Sequence, residues 1–360
     1  MTIVDTITGA EVERRIATLV RENLPATWQA TETSTPKRGP QGPDLEIAIV
    51  APDRRRMRLV IEVKQVVERR DVARIAGQVR SMVSGPADVP VVGARYLSPS
   101  VREALTGEGL SYADATGNMR IEGDSPALFI SVRGEDRDPW RRGRPRGTLK
   151  GEPAARVTRA LLDYRRDWRV RELISASGAS SGATYRVLEY LQREDLVKKT
   201  GDYYSVIDWE RLLRQWSADA PFQDTARVTA FIEPRGLDYF MERLPLEWPF
   251  RFTVTGSVAA KEWASYAPTK SAFVYVSSTQ EAAEQWGLRP NDAAPNVILL
   301  ESATASDVPL RNSGTSVAGY PVAAPAQVAA DLINGPGRDS AEGEYLIEWM
   351  KRNEERWRRD

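Results

Sequence analysis

The chain has no cysteine and no histidine in 360 residues. Their absence excludes disulfides, zinc fingers, histidine-ligated metals, Ser-His-Asp triads and cysteine nucleophiles. No apolar run is long enough to span a bilayer, and the N-terminus lacks a signal-peptide profile. With no disulfides to form, these features predict a soluble protein of the cytoplasm, with no membrane partner. Net charge is missing too: 50 basic and 50 acidic residues cancel. A nucleic-acid surface must therefore be local. Hydrolysis by carboxylates and lysine survives all of these exclusions. No internal repeat is visible, and the length suffices for two or three cores.

Alternation at period two predicts strands over Leu45–Val50 and Met57–Val63, with Ala51-Pro52-Asp53-Arg54-Arg55 as the turn between them. Setting Leu45 against Ile61, Ile47 against Leu59 and Ile49 against Met57 makes one face wholly apolar. A slip of one residue would mix the faces. The same register sets Asp44 opposite Glu62, with Lys64 on the face of Glu62. Opposed side chains lie roughly 4.5–5.5 Å apart at Cβ, where two carboxylates repel by about 3 kcal/mol at an effective dielectric near 20. A cation would relieve that repulsion. Mg²⁺ prefers oxygen ligands, takes one or two carboxylates with waters and phosphate, and generates a hydroxide nucleophile. Lys64 would orient or deprotonate the water. The plainer reading is a surface strand whose two acids are solvated and partly neutralised by Lys64.

Pro43-Asp44 and Glu62-Val63-Lys64 together resemble the signature of the PD-(D/E)xK, or restriction-endonuclease-like, superfamily. The resemblance implies an α/β/α domain over residues 1–133. It also implies a Mg²⁺- or Mn²⁺-dependent deoxyribonuclease site, with Asp44 and Glu62 on the metal and Lys64 activating water. It adds an acid of the first helix, Glu11 or Glu13, with Glu13 as a metal ligand, and Gln78 of the helix after the lysine. Read as residues alone, Glu11 and Glu13 are exposed positions of an amphipathic helix carried by Val12, Ile16, Leu19 and Val20.

Residues 134–152 are expected to form a basic linker. Trp140 to Lys150 holds five cations and no acid, and its glycine and proline content excludes a regular element. Arg142-Gly143-Arg144-Pro145 resembles the core of an AT-hook, which would place Arg142 and Arg144 in a minor groove. A solvated linker is the plainer reading, and both permit phosphate contact.

Over 153–218, helices are predicted from Pro153 through Tyr164, from Val170 to Ala176 and from Ala183 to Arg193, followed by a hairpin at Leu196–Val206. Three helices and a hairpin resemble a winged helix-turn-helix. That architecture puts the third helix in the major groove of double-stranded DNA and the wing on the backbone. Ser180, Ser181, Thr184, Tyr185 and Arg186 become the reading candidates, with Lys198, Lys199 and Tyr203 on the wing. Tyr204 and Trp209 are expected in the core.

Residues 219–360 read as an α/β or α+β domain, with strands at Val228–Ile232, Phe252–Thr255, Phe273–Val276 and Val297–Leu300. Thr255-Gly256-Ser257 resembles the Gly-Ser step of nucleotidyltransferase-like domains. The next strand, Phe273 to Ser278, offers none of their metal-binding carboxylates, so a tight turn with an N-cap is expected instead. Tyr345 to Arg358 reads as an amphipathic helix that packs locally or supports a homodimer, with a solvated arginine-rich tail.

The order of these parts resembles bacterial AbiEi-like antitoxins of abortive-infection type IV toxin–antitoxin systems. The residues that carry this likeness are Tyr112-Ala113-Asp114-Ala115-Thr116-Gly117-Asn118-Met119-Arg120-Ile121, the strand ending at Val132-Arg133-Gly134, the winged helix, and Asp331 through Met350. It implies operator binding and a nucleotidyltransferase-type toxin as partner. Asp114 and Asn118 themselves read as a turn with side-chain caps. The expectation is an α/β multidomain, nucleoid-associated DNA-binding regulator that keeps a nuclease-like fold as a platform. The alternative is an active Mg²⁺-dependent endonuclease of phage defence or restriction.

Overall fold

The computed structural model describes residues 7–32, 42–136, 138–140, 148–302, 308–310 and 312–360. Arg142 and Arg144 lie outside the described residues. The chain is a mixed α/β protein of two compact units, Met1–Pro145 with Arg193–Asp195, and Arg146–Gln192 with Leu196–Asp360.

The first unit runs α1 (Gly9–Asn23), β1 (Gln29–Glu32), β2 (Leu45–Val50), β3 (Arg56–Lys64), α2 (Val72–Arg80), β4 (Asp88–Ala94), α3 (Pro99–Gly107), β5 (Ser111–Asp114), β6 (Met119–Asp124) and β7 (Ala127–Val132). Thr8 starts α1 by accepting from the Glu11 amide, and Ser98 does the same for α3 at the Val101 amide. The seven strands lie side by side in chain order. β3 and β4, and β4 and β5, pair in parallel. The β2–β3 register matches expectation: Leu45 faces Ile61, Ile47 faces Leu59 and Ile49 faces Met57. The apolar stripe of α1, Val12, Ile16, Ala17 and Val20, buries against Ile47, Leu59 and Ile61 on one face. On the other face, Val72, Ile75 and Val79 of α2 and Val101 and Leu105 of α3 pack with Val92 and Ala94. Successive strand residues point to opposite faces. Hence odd-numbered residues of β3 serve the α1 layer, and Glu62 and Lys64 fall on the α2 side.

The second unit opens with α4 (Glu152–Asp163), β8 (Trp168–Arg169), α5 (Val170–Ser177), α6 (Ser181–Arg193), β9 (Val197–Thr200), β10 (Tyr203–Val206) and α7 (Trp209–Asp219). It continues with α8 (Phe222–Thr225), β11 (Ala226–Ile232), α9 (Leu237–Arg243), β12 (Phe252–Thr255), α10 (Gly256–Ala260), β13 (Ala272–Val276), α11 (Thr279–Trp286), β14 (Arg289–Pro290) and β15 (Val297–Ser302). β16 (Gly314–Thr315), β17 (Pro321–Val322), α12 (Pro325–Ile333), α13 (Asp339–Arg352) and α14 (Glu354–Trp357) complete it. β8, β10 and β9 form a small antiparallel sheet, while the remaining strands form a mixed sheet ordered β14-β11-β15-β13-β12-β17-β16.

One hydrophobic cluster runs from Leu161 and Trp168 through Leu191 and Leu213 to Trp286, Val328 and Trp357. Residues 153–218 and 219–360, expected as separate domains, thus share a core. A buried polar tie reinforces it: the Arg159 guanidinium donates to Asp163 (3.0 Å), to the Val308 carbonyl (2.9 Å) and to Gln327 Oε1 (3.0 Å).

The C-terminal expectation needs two corrections. Asn353 separates α13 from α14, and its side-chain Nδ2 donates to the Trp349 carbonyl. The tail docks rather than remaining solvated: Arg358 donates to the carbonyls of Leu161, Leu162 and Tyr164, which end α4 and have no helical partner. Trp357 is buried and meets Trp209 edge to face. The Thr255–Ser257 turn also differs. Gly256 supplies the left-handed step at φ +64°, but neither hydroxyl caps the helix. Thr255 donates to Asp331 and Ser257 to Glu342.

Candidate functional site

In the first unit, β3 carries Glu62 and Lys64 on the α2 face, and α2 brings Gln78 over them. Lys64 Nζ donates to Glu62 Oε1 at 2.5 Å and Gln78 Nε2 donates to the same oxygen at 2.9 Å. Glu62 is 6 % exposed, so this charge sits where a neighbouring cation matters. Asp44 precedes β2 across the ladder: its amide donates to the Ile61 carbonyl, and its Oδ2 accepts from the Val63 amide at 2.9 Å. Three of the four expected site residues therefore interlock directly, and Asp44 is held on the backbone one residue from Glu62.

Glu11 instead engages Arg14 and Arg15. Glu13 lies on α1, which packs on the odd-residue face of β3. Among the described residues no group of three or more carboxylates gathers in a metal-holding arrangement, so Glu13 does not complete a triad with Asp44 and Glu62. The pair Asp44 and Glu62 still matches what Mg²⁺ takes from proteins, one or two carboxylates with waters and phosphate. Asp114 behaves as a turn cap, accepting from the Leu97, Thr116 and Asn118 amides.

In the second unit, Ser180 Oγ accepts from the Ala183 amide and begins α6. Ser181, Tyr185 and Arg186 are exposed, with Tyr185 at 54 %. Arg186 lies back along the helix, its Nη1 3.8 Å from where a side chain on Gly182 would start. Thr184 is a correction: it is fully buried and its hydroxyl donates to the Ser180 carbonyl, so it holds the helix start and cannot reach a base edge.

Strand parity sorts the hairpin. Lys198, Thr200, Tyr203 and Ser205 share the outward face, because the buried Tyr204, opposite Lys199 and Trp168, marks the inward one. Lys199 therefore belongs to the core-facing side and reaches solvent at its rim, its ammonium 5.4 Å from the Tyr204 ring centroid. The outward face gains a residue that sequence reasoning missed. Arg169 of β8 pairs opposite Tyr203 and places its guanidinium 5.0 Å from that ring centroid. Only the three-stranded pairing could have flagged it. Among the described residues, Arg169, Arg171, Arg186, Lys198 and Lys199 are exposed and none has a carboxylate within ion-pair distance. Other exposed arginines are paired, as Arg166 is with Glu172 at 2.7 Å.

Compared with protein-family models, with curated proteins and with solved structures, the chain matches none. No helix among the described residues is long and apolar enough to cross a membrane.

Proposed function

We propose that the protein binds double-stranded DNA through residues 153–218, acting as a winged helix-turn-helix, and regulates transcription at a specific site. The observation that supports this best is that residues 153–218 carry five exposed cations without an ion-pair partner together with an exposed polar start of α6, in a chain whose total charge is zero. Ser181, Tyr185 and Arg186 would meet base edges, while Arg169, Lys198 and Tyr203 would meet phosphates, which position a protein without specifying sequence. In this reading the first unit is a restriction-endonuclease-like platform and the C-terminal part a nucleotidyltransferase-like fold without its acids. An AbiEi-like role beside a nucleotidyltransferase-type toxin, with the protein as a homodimer, follows the order of the parts. Footprinting on the region upstream of the protein's own gene tests it, with protection of one site expected. Affinity unaltered by Arg186→Ala and Lys198→Ala would remove the winged-helix reading.

The convergence of Lys64 and Gln78 on Glu62 favours a second reading, a Mg²⁺-dependent DNA endonuclease. Asp44 and Glu62 would hold the ion, which supplies Lewis-acid stabilisation of phosphoryl charge and a more acidic bound water. Gln78 fixes the Glu62 carboxylate, and the Lys64 ammonium stands where it can orient a water or transfer a proton. With plasmid and Mg²⁺ or Mn²⁺, Lys64→Ala should lower cleavage by about 10²–10⁴-fold, the usual worth of a proton-transfer group. Equal inertness of the wild type and of Lys64→Ala and Asp44→Ala on all substrates would leave the first reading alone.

A further inference from the structure

The second unit contains a cavity of about 410 Å³ that neither reading uses. Its size lies within the roughly 300–1,000 Å³ of small-molecule sites. Trp216, Phe222 and Val308 supply buried apolar wall, and Tyr275, Asp219 and Asp331 bring polar groups to it.

Its charges are unbalanced in a particular way. At the rim they cancel in pairs: Lys150 lies 3.4 Å from Asp224, and Glu152 lies 2.5 Å from Arg156. Deeper, Asp331 accepts only from neutral donors, Thr255 Oγ1 (2.6 Å), Tyr275 OH (3.0 Å) and Gln327 Nε2 (2.9 Å). Asp219 likewise accepts from the Leu149 amide (2.8 Å) and Gln215 Nε2 (3.1 Å). Among the described residues, neither carboxylate makes a direct ion pair: Arg159, which is bound to Asp163, and Lys150, which is bound to Asp224, act on Asp331 and Asp219 only at longer range. Burial correspondingly pushes both carboxyls above their ordinary range. A buried acid without a cation in direct contact is costly and is ordinarily paired.

We propose that this cavity binds a small organic cation, an amine or ammonium group on an aromatic or aliphatic body, with Asp331 and Asp219 as its counter-charges. The proposal does not depend on DNA binding, since it uses only the walls of this cavity.

Three probes with one body and different charge test it on the full chain at neutral pH: 4-phenylbutylamine, 4-phenylbutanol and 4-phenylbutyrate, followed by calorimetric titration. The amine should bind, with the alcohol about tenfold weaker or worse, a ratio that one modest ion pair provides, and the carboxylate weaker still. Asp331→Asn and Asp219→Asn should weaken the amine while leaving the alcohol unchanged. Ala155→Leu, which fills the cavity from α4, should weaken both. The proposal is overturned if the amine gives no heat at millimolar concentration, or if alcohol or carboxylate binds as tightly as the amine. It is equally overturned if neither asparagine variant alters amine affinity. Should an asparagine variant fail to fold, the three-probe comparison on the wild type still decides the matter.

Discussion

Asp331 offers a quantitative test of how the second unit is held together. The residue is 6 % exposed, and its carboxyl accepts three hydrogen bonds, each of which favours the anion. Burial nonetheless outweighs them and moves the group from an ordinary 3.8 up to about 6. The direction sets the sign. A carboxyl that keeps its proton more tightly when folded contributes stability in acid, and that contribution disappears as the pH climbs from about 4 through about 6 and then stays constant. A displacement of about 2 pH units corresponds to ~3 kcal/mol. Asp331→Asn keeps the shape and removes the titration. Relative to wild type, the variant should therefore gain about 2 kcal/mol between pH 4 and pH 7.5, the rest of the difference lying below pH 4. Urea unfolding followed by tryptophan emission is a suitable assay, because eight of the ten tryptophans (all but Trp28 and Trp140) lie in this unit. The difference between the two proteins matters rather than either curve, since carboxylates such as Glu210 and Glu301, held low by Lys351 and Arg214 and by Thr279, titrate in the opposite sense in both. A wild-type-minus-variant difference that stays flat with pH, within the ~10–15 % uncertainty of extrapolation, would refute the burial argument.

Other outcomes follow from the same coordinates. Lys198→Ala, at a residue assigned to phosphate, should reduce the log–log salt slope of DNA binding by about one, whereas Arg186→Ala, at a residue assigned to a base edge, should cost about 1–3 kcal/mol and relax sequence preference. Thr184→Val, at a buried helix start, should leave that slope alone. Trp286→Ala removes a fully buried ring surrounded by Phe240, Trp248, Phe250 and Phe252, with centroids 5.1–5.9 Å away. Its cost should be about 3–5 kcal/mol in denaturant unfolding, and a loss below ~1 kcal/mol, the size of a surface change, would contradict the packing. Gly134→Ala would set a Cβ 2.2 Å from the Thr116 carbonyl oxygen and 2.5 Å from Gly117 C. Because both are backbone atoms, thermal unfolding of the first unit should occur earlier, by the ~1–3 kcal/mol typical of overpacking.

Some of this protein was decided locally, and those parts could be read from the chain. The β2–β3 register follows from alternation, since a slip of one residue would turn Ile47 and Leu59 toward the wrong layer. That register alone places Asp44 beside Glu62 and sets Lys64 on the same face. The helices α4, α5 and α6 and the β9–β10 hairpin likewise announce themselves by periodicity and turn residues. Gln78 was indicated by resemblance only. What no short window contains is which element covers which. Thr184 was lost as a reading residue because α6 turns it inward, and Arg169 was found only once β8 paired with β10. Asp331, Tyr275 and Thr255 stand far apart in the chain and meet because α12 packs on the second sheet. Arg358 docks on α4 for the same reason: buried carbonyls at a helix end need donors wherever the fold can supply them. Periodicity is a property of neighbours along the chain, whereas burial and counter-charge belong to neighbours in space, and only the packed structure determines those.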